Sequence, residues 1–255
     1  MSGGKQPKKD VFEMWETFLA ILTAHLIGDF VLQSNWMIAH KQQWWVLLIH
    51  VSIVSIITGL LLGSLNMTIL LVIFFSHWVF DWIKIRIGDS TLPFVVDQLA
   101  HLTVAILLSL YLPDALSLGW WQNILATNAN VYYASLCLIS GGILSIPAGG
   151  ILIGKVMKPL TDQISKEKLD GLKNGGKYIG LLERTLIYLF ILMGSIEGVG
   201  FLLGAKSILR FGEIKDQEDR KVTEYIIIGT FFSFGWGILF AFVTQMALTK
   251  WPMQP

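Results

Sequence analysis

The chain has 255 residues, 54% of them hydrophobic and only 15% charged, with a formal net charge of +1. A soluble domain carries roughly 25% charged residues, so this composition points to a membrane-embedded protein and offers no general attraction to polyanions. The single cysteine, Cys137, excludes an intrachain disulfide and a cysteine-based zinc site.

The first ten residues, MSGGKQPKKD, read as a polar tail. The apolar stretch behind them carries His25 and Asp29, which a signal-peptide core does not. A membrane-spanning helix needs about 20 mostly apolar residues, and by that measure the fold class is all-α, a polytopic transmembrane helix bundle of about seven spans. The predicted spans are 11–33, 44–65, 67–87, 92–112, 131–155, 178–204 and 223–249. The sixth is long and glycine-rich, which permits a kinked or re-entrant path. Residues 113–130 form an interfacial loop with the pair Trp120 and Trp121, and the ten tryptophans as a set suit anchoring at the membrane surface. The basic loops 155–177 and 205–222 belong in water. All five histidines precede residue 102. The chain therefore divides into a four-helix module (11–112) and a three-helix module (131–255). With seven crossings, lysines and arginines fall almost evenly on the two faces. A re-entrant sixth span would bring both basic loops to one face, which the positive-inside rule would then make cytoplasmic. The expected location is within a membrane.

The chemistry-bearing residues lie in the first module. AHLIGDF contains His25 and Asp29, HWVFD contains His77 and Asp81, and DQLAH contains Asp97 and His101. Each is a His/Asp pair at i,i+4, so both side chains share a helix face. Alternating spans also match their depths. At 1.5 Å per residue, the three histidines lie about 12–15 Å from one surface and the three aspartates about 6–9 Å from it. His50 falls near the aspartate layer. His40, in the polar loop SNWMIAHKQQ, is expected to be solvated.

A carboxylate in hydrocarbon needs a partner or a wet cavity. A single His/Asp pair reads as glue between helices; three at matched depth read as a functional cluster. Imidazole and carboxylate together suit a divalent cation, with Zn²⁺ the expected ion. The expected ligands are His25, Asp29, His50, His77, Asp81, Asp97 and His101, with one of Asp29, Asp81 or Asp97 acting as a general base.

The segments LTAHLIGDFVLQSNWMIAHK, SHWVFDWIK and FVVDQLAHL resemble the signature blocks of a bacterial integral-membrane family, domain-of-unknown-function family 3307. GGKYIGLLERTLIYLFILMG, GAKSILRFGEI and TEYIIIGTFFS are similar to the blocks that follow in its longer members. The resemblance implies an integral protein of the bacterial cytoplasmic membrane and no settled activity. More distantly, the His/Asp pattern is similar to that of predicted membrane-bound metal-dependent hydrolases. The likeness to the ceramidase and adiponectin-receptor class is architectural, and no residue is carried over from it.

In the second module, Glu183 and Arg184 point about 100° apart and each needs its own partner. Glu197 reads as deeper, while Lys206 and Arg210 read as juxtamembrane flanks that can meet lipid phosphate. The pairs Gly59/Gly63, Gly194/Gly198 and Gly200/Gly204 fit close helix packing. No nucleotide-binding, nucleophile-elbow or nucleic-acid-binding pattern is present. The leading expectation is metal-dependent hydrolysis of a lipid or lipid-linked substrate. The alternatives are a divalent-cation or proton-coupled transporter or sensor, and a structural membrane partner.

Overall fold

The computed structural model describes residues 7–165, 174–208 and 217–251. The start of the polar tail, Lys166, Lys168 and Lys173 of the first basic loop, and Arg210 and Lys215 of the second lie outside the described residues. Among the described residues there are helices and turns and no strand. The chain is an all-α helical membrane protein. Among the described residues, six helical stretches are long and apolar enough to cross a bilayer: Val11–Leu32, Trp44–Leu62, Met67–Ile87, Thr91–Tyr111, Leu125–Thr161 and Arg220–Leu248.

Helix α1 (Pro7–Ile27) continues through a π-helical turn at Gly28–Leu32. Then come α2 (Asn35–His40), α3 (Trp44–Leu62), α4 (Met67–Ile87) and α5 (Thr91–Tyr111). Helix α6 (Gln122–Ile143) passes through a second π-turn, Leu144–Ala148, into α7 (Gly149–Thr161). Helices α8 (Gly175–Leu192), α9 (Ile196–Ile208) and α10 (Gln217–Leu248) complete the fold. Contacts divide it into unit 1, Met1–Ser140 with Lys250–Pro255, and unit 2, Gly141–Thr249.

In unit 1, helices α1, α3, α4 and α5 pack around a polar interior. Their turns have identifiable causes. Ser34 caps α2 by accepting from the Met37 N–H at 3.2 Å, and Asn66 caps α4 by accepting from the Ile69 N–H at 3.2 Å. Gly63 ends α3 in the left-handed conformation, φ 60°, which glycine adopts without a Cβ penalty. Trp121 covers that glycine and donates Nε1–H to the Leu60 carbonyl at 2.7 Å. The stretch expected as a loop over 113–130 is therefore partly helical. Helix α6 starts at Gln122 and bends at Asn128 (φ −127°, ψ 22°).

In unit 2, α10 runs antiparallel to α7. Gly229 faces Met157, Trp236 faces Gly149 and Thr244 faces Gly141. The sixth predicted span is not one crossing. Helix α8 ends at Met193, Gly194 turns the chain at φ 74°, and α9 returns along α8. Lys206 Nζ lies 2.8 Å from Glu183 Oε1. A continuous helix would hold those residues about 34 Å apart. Gly198 permits the return, because a Cβ there would lie 2.9 Å from the Phe190 ring. The hairpin closes on a core of Ile187, Ile191, Val199 and Phe234. One end of unit 2 thus gathers Lys155, Lys158, Lys177, Lys206, Arg220 and Lys221, while the opposite end, at Met193–Ser195, carries no described lysine or arginine.

Candidate metal centre

The polar interior of unit 1 is built by one face from each of its four long helices. Helix α1 and its π-turn supply His25 and Asp29, α3 supplies His50, α4 supplies His77 and Asp81, and α5 supplies Asp97 and His101. All are buried; Asp81 is 0%, His50 1% and His77 2% exposed. The fold brings these seven side chains into one connected cluster. His40 stands apart, with its ring nitrogen on its own helix at the Trp36 carbonyl, 2.8 Å away.

The i,i+4 pairs that make the pattern visible are not the closest contacts. His25 Nδ1 and Asp29 Oδ1 are 4.0 Å apart, and His77 Nε2 and Asp81 Oδ2 are 3.7 Å apart. The short distances run between helices. His50 Nε2 lies 3.0 Å from His77 Nε2. Asp29 Oδ1 lies 3.3 Å from His50 Nε2 and 3.1 Å from His77 Nε2. Asp81 Oδ2 stands 3.3 Å from His50 Nε2. On a helix, i,i+4 places side chains on one face; the neighbouring helix decides which atoms meet.

Gly28 and the π-turn explain how Asp29 reaches α3. A Cβ on Gly28 would lie 2.6 Å from Val54 Cγ2, so only glycine lets α1 come this close. The π-turn then places Asp29 inward, as single π-turns often do at functional sites.

Three donor groupings are compact enough to hold a metal ion: His25/His77/His101, Asp29/His50/His77 and Asp29/Asp97/His101. The second has the tightest geometry. Zinc bonds of 2.0–2.1 Å arranged tetrahedrally put neighbouring donors about 3.3 Å apart. The Asp29–His50–His77 triangle, with sides of 3.0, 3.1 and 3.3 Å, is close to that face. An imidazole Nε2 carries one proton or one lone pair, so His50 Nε2 cannot satisfy His77, Asp29 and Asp81 together by hydrogen bonding. A cation satisfies all of them. Buried nitrogen and oxygen atoms also stand without a hydrogen-bond partner, among them His25 Nδ1, Asp97 Oδ1 and His101 Nε2.

Around this core lie three side chains outside the sequence-based ligand set. Lys41 Nζ contacts Asp81 Oδ2 at 2.7 Å, and Lys84 Nζ contacts Asp97 Oδ2 at 2.6 Å. Gln98 bridges, its Nε2 donating to Asp29 Oδ2 at 3.2 Å and to Asp97 Oδ2 at 3.1 Å, with Oε1 3.2 Å from His25 Nε2. Lys84 had a signal, since 77, 81 and 84 share one helix face. Lys41 follows α2 in an irregular turn and had none. With neutral imidazoles, three carboxylates against two lysines leave one net negative charge. Beneath the histidines, His25, His77 and His101 line a cavity of about one water's volume, closed by Ile21, Val54, Ile73 and Ala105.

These features define a helical membrane protein with a buried His/Asp cluster. Residues 17–127, which contain the whole cluster, match the model of a family described as a protein of unknown function, DUF3307. No curated protein matches the chain, and no solved structure matches it.

Proposed function

We propose that unit 1 is an intramembrane metal site and that the protein is a metal-dependent hydrolase of a lipid or lipid-linked substrate in the bacterial cytoplasmic membrane. The observation that carries the reading is the convergence of Asp29 Oδ1, His50 Nε2 and His77 Nε2 at 3.0–3.3 Å in a buried interior. In this reading Asp29, His50 and His77 hold a divalent ion, most simply Zn²⁺, and Asp81 flanks them. When bound, the ion supplies Lewis acidity. His101 lines the water-sized cavity, and Asp97 Oδ1 lies 3.4 Å from its Nε2. That pair is suited to take the proton of an attacking water and return it to the leaving group, which keeps the hydrolysis balanced. Gln98 fixes the carboxylates of Asp29 and Asp97. The buried position suits a substrate drawn from the bilayer. The collection of basic residues at one end of unit 2 favours that end being cytoplasmic.

The two lysines favour a second reading. Lys41 and Lys84 already neutralise two carboxylates, which suits a site that binds and releases a cation or proton without turnover, as in a transporter or sensor. Elemental analysis of chelator-free protein tests the metal. About one or two ions per chain are expected, lost in His77→Ala; absence of metal after reconstitution removes the hydrolase and the metal-cation form of the second reading, and leaves only proton transfer. Lipid hydrolysis against cation flux in proteoliposomes then separates them.

A further inference from the structure

Unit 2 contains a second buried ionic group, of opposite balance. Glu183 is held by Lys206, whose Nζ lies 2.8 Å from Oε1 and 3.0 Å from Oε2. The neighbouring Arg184 is 5% exposed and has no such carboxylate. Its Nε donates to the Ile146 carbonyl at 3.1 Å and its Nη1 to Ser233 Oγ at 3.1 Å. Among the described residues, Nη2 makes no hydrogen bond. Two cations against one carboxylate leave a net positive charge about 14 Å from the start of α8. An isolated guanidinium at such depth is costly and marks a functional group with an expected partner.

The guanidinium lies against two glycines. A Cβ on Gly150 of α7 would lie 2.6 Å from Nη2, and one on Gly180 of α8 would lie 3.0 Å from Nη1. One turn nearer the basic end on each helix, Gly154 and Gly176 have nothing within 4 Å of their Cβ positions. The guanidinium thus takes the side-chain space of Gly150 and Gly180, and open space lies at exposed Gly154 and Gly176 on its basic side. Exposed Lys158 and Lys177 follow toward the basic end of the two helices. Ile151, Ile179 and Leu182 are exposed alongside, as lipid-facing residues are.

We propose that this glycine-lined surface of α7 and α8 serves as a cleft that binds a phosphate group, presented by an anionic lipid, with Arg184 as the charged donor. A guanidinium with its Nε and one Nη occupied by neutral acceptors retains N–H groups for an oxyanion, and charge-assisted bonds of this type are the strong ones. The Glu183–Lys206 pair prevents Glu183 from filling that role. The glycines admit the headgroup, and the apolar flanks suit its chains.

Native mass spectrometry of the full-length protein in mild detergent tests the site, with phosphatidic acid and phosphatidylcholine as probes. Phosphatidic acid is expected to bind at least about tenfold more tightly. Arg184→Gln and Gly154→Leu should each remove that preference, while Gly200→Leu, at an open position on α9, should retain it. Gly154→Leu deletes no polar group, so it decides the matter if Arg184→Gln does not fold. Displacement by millimolar inorganic phosphate would make free phosphate the natural source of the same oxyanion; no displacement supports the lipid. Equal binding of the two lipids, or a preference unchanged in Gly154→Leu, overturns the proposal.

Discussion

The two units solve the problem of burying charge in opposite ways. Unit 1 spreads its ionisable groups over four helices and aims them inward, leaving an excess of carboxylate and imidazole lone pairs. Unit 2 concentrates its groups on a helical hairpin and leaves an excess of N–H donors. Acceptors in excess call for a cation, and donors in excess call for an anion. The difference teaches that the residual sign of a buried cluster, after internal pairs are matched, says more about its ligand than the number of charges it contains.

The largest expected effect comes from removing the carboxylate shared by the tightest triangle. Asp29→Asn keeps the shape of the side chain and removes its charge. Zinc affinity should fall by about 10²-fold or more, measured by competition with a chelating dye. Gly154→Leu in unit 2 should leave that affinity unchanged. Chelation should lower the Tm of the wild type and leave that of Asp29→Asn unmoved, because a ligand stabilises only the state that binds it. If Asp29→Asn binds zinc normally, the carboxylates of unit 1 are glue between helices.

A smaller effect of the opposite sign is expected from Lys41→Gln. The lysine and the ion compete for the field of Asp81, so removing the lysine should tighten divalent-cation binding by about tenfold, or about 1.4 kcal/mol. Unchanged affinity would mean that Asp81 faces the lysine alone. The comparison with unit 2 sharpens this test. Lys206→Gln should release Glu183 toward Arg184 and weaken phosphatidic acid binding. Removing a lysine thus strengthens the ligand of one unit and weakens that of the other.

How much of this was legible in the sequence follows from which forces act locally. The His/Asp pairs were visible because a helix fixes which residues share a face, and the helix spans were visible because hydrocarbon demands continuous apolar runs. The atoms that meet were not visible, since Asp29 contacts His50 and His77 through helix packing. Lys41 arrives from a turn with no periodicity. The π-turn at Gly28–Leu32 leaves no pattern beyond the glycine itself. The length and glycine content of the sixth span made a re-entrant path conceivable, but the salt bridge between Lys206 and Glu183, which shows the hairpin, joins residues with no periodic relation.

Gly28 offers a test of packing rather than charge. Alanine there would press on Val54 Cγ2, from a Cβ 2.6 Å away, and push α1 from α3. Overpacking of this kind costs about 1–3 kcal/mol. Gly28→Ala should weaken metal binding while leaving every donor in the sequence intact, and Val54→Ala in the same chain should restore it. A metal affinity insensitive to Gly28→Ala would detach the site from the α1–α3 approach.

The smallest effects separate two tryptophans that do the same local work. Trp121 Nε1 donates to the Leu60 carbonyl at the end of α3, and Trp236 Nε1 donates to the Leu144 carbonyl in the π-turn at 2.8 Å. Replacing either by phenylalanine leaves the aromatic body and removes one hydrogen bond from a carbonyl that still accepts from a backbone N–H, that of Gly63 for Leu60 and that of Gly149 for Leu144, at a cost of about 1 kcal/mol. Their consequences should differ. Leu60 lies ten residues beyond His50, about 15 Å along α3, so Trp121→Phe should lower Tm slightly and leave metal affinity alone. Leu144 shares its π-turn with Ile146, whose carbonyl holds Arg184 Nε. Loosening that turn frees the guanidinium to leave the proposed cleft, so Trp236→Phe should lower Tm by a similar amount and also weaken phosphatidic acid binding by about two- to fivefold, under 1 kcal/mol. Equal loss of stability with no change in lipid binding would show that Arg184 holds its position without the π-turn, with Ser233 as its sufficient anchor.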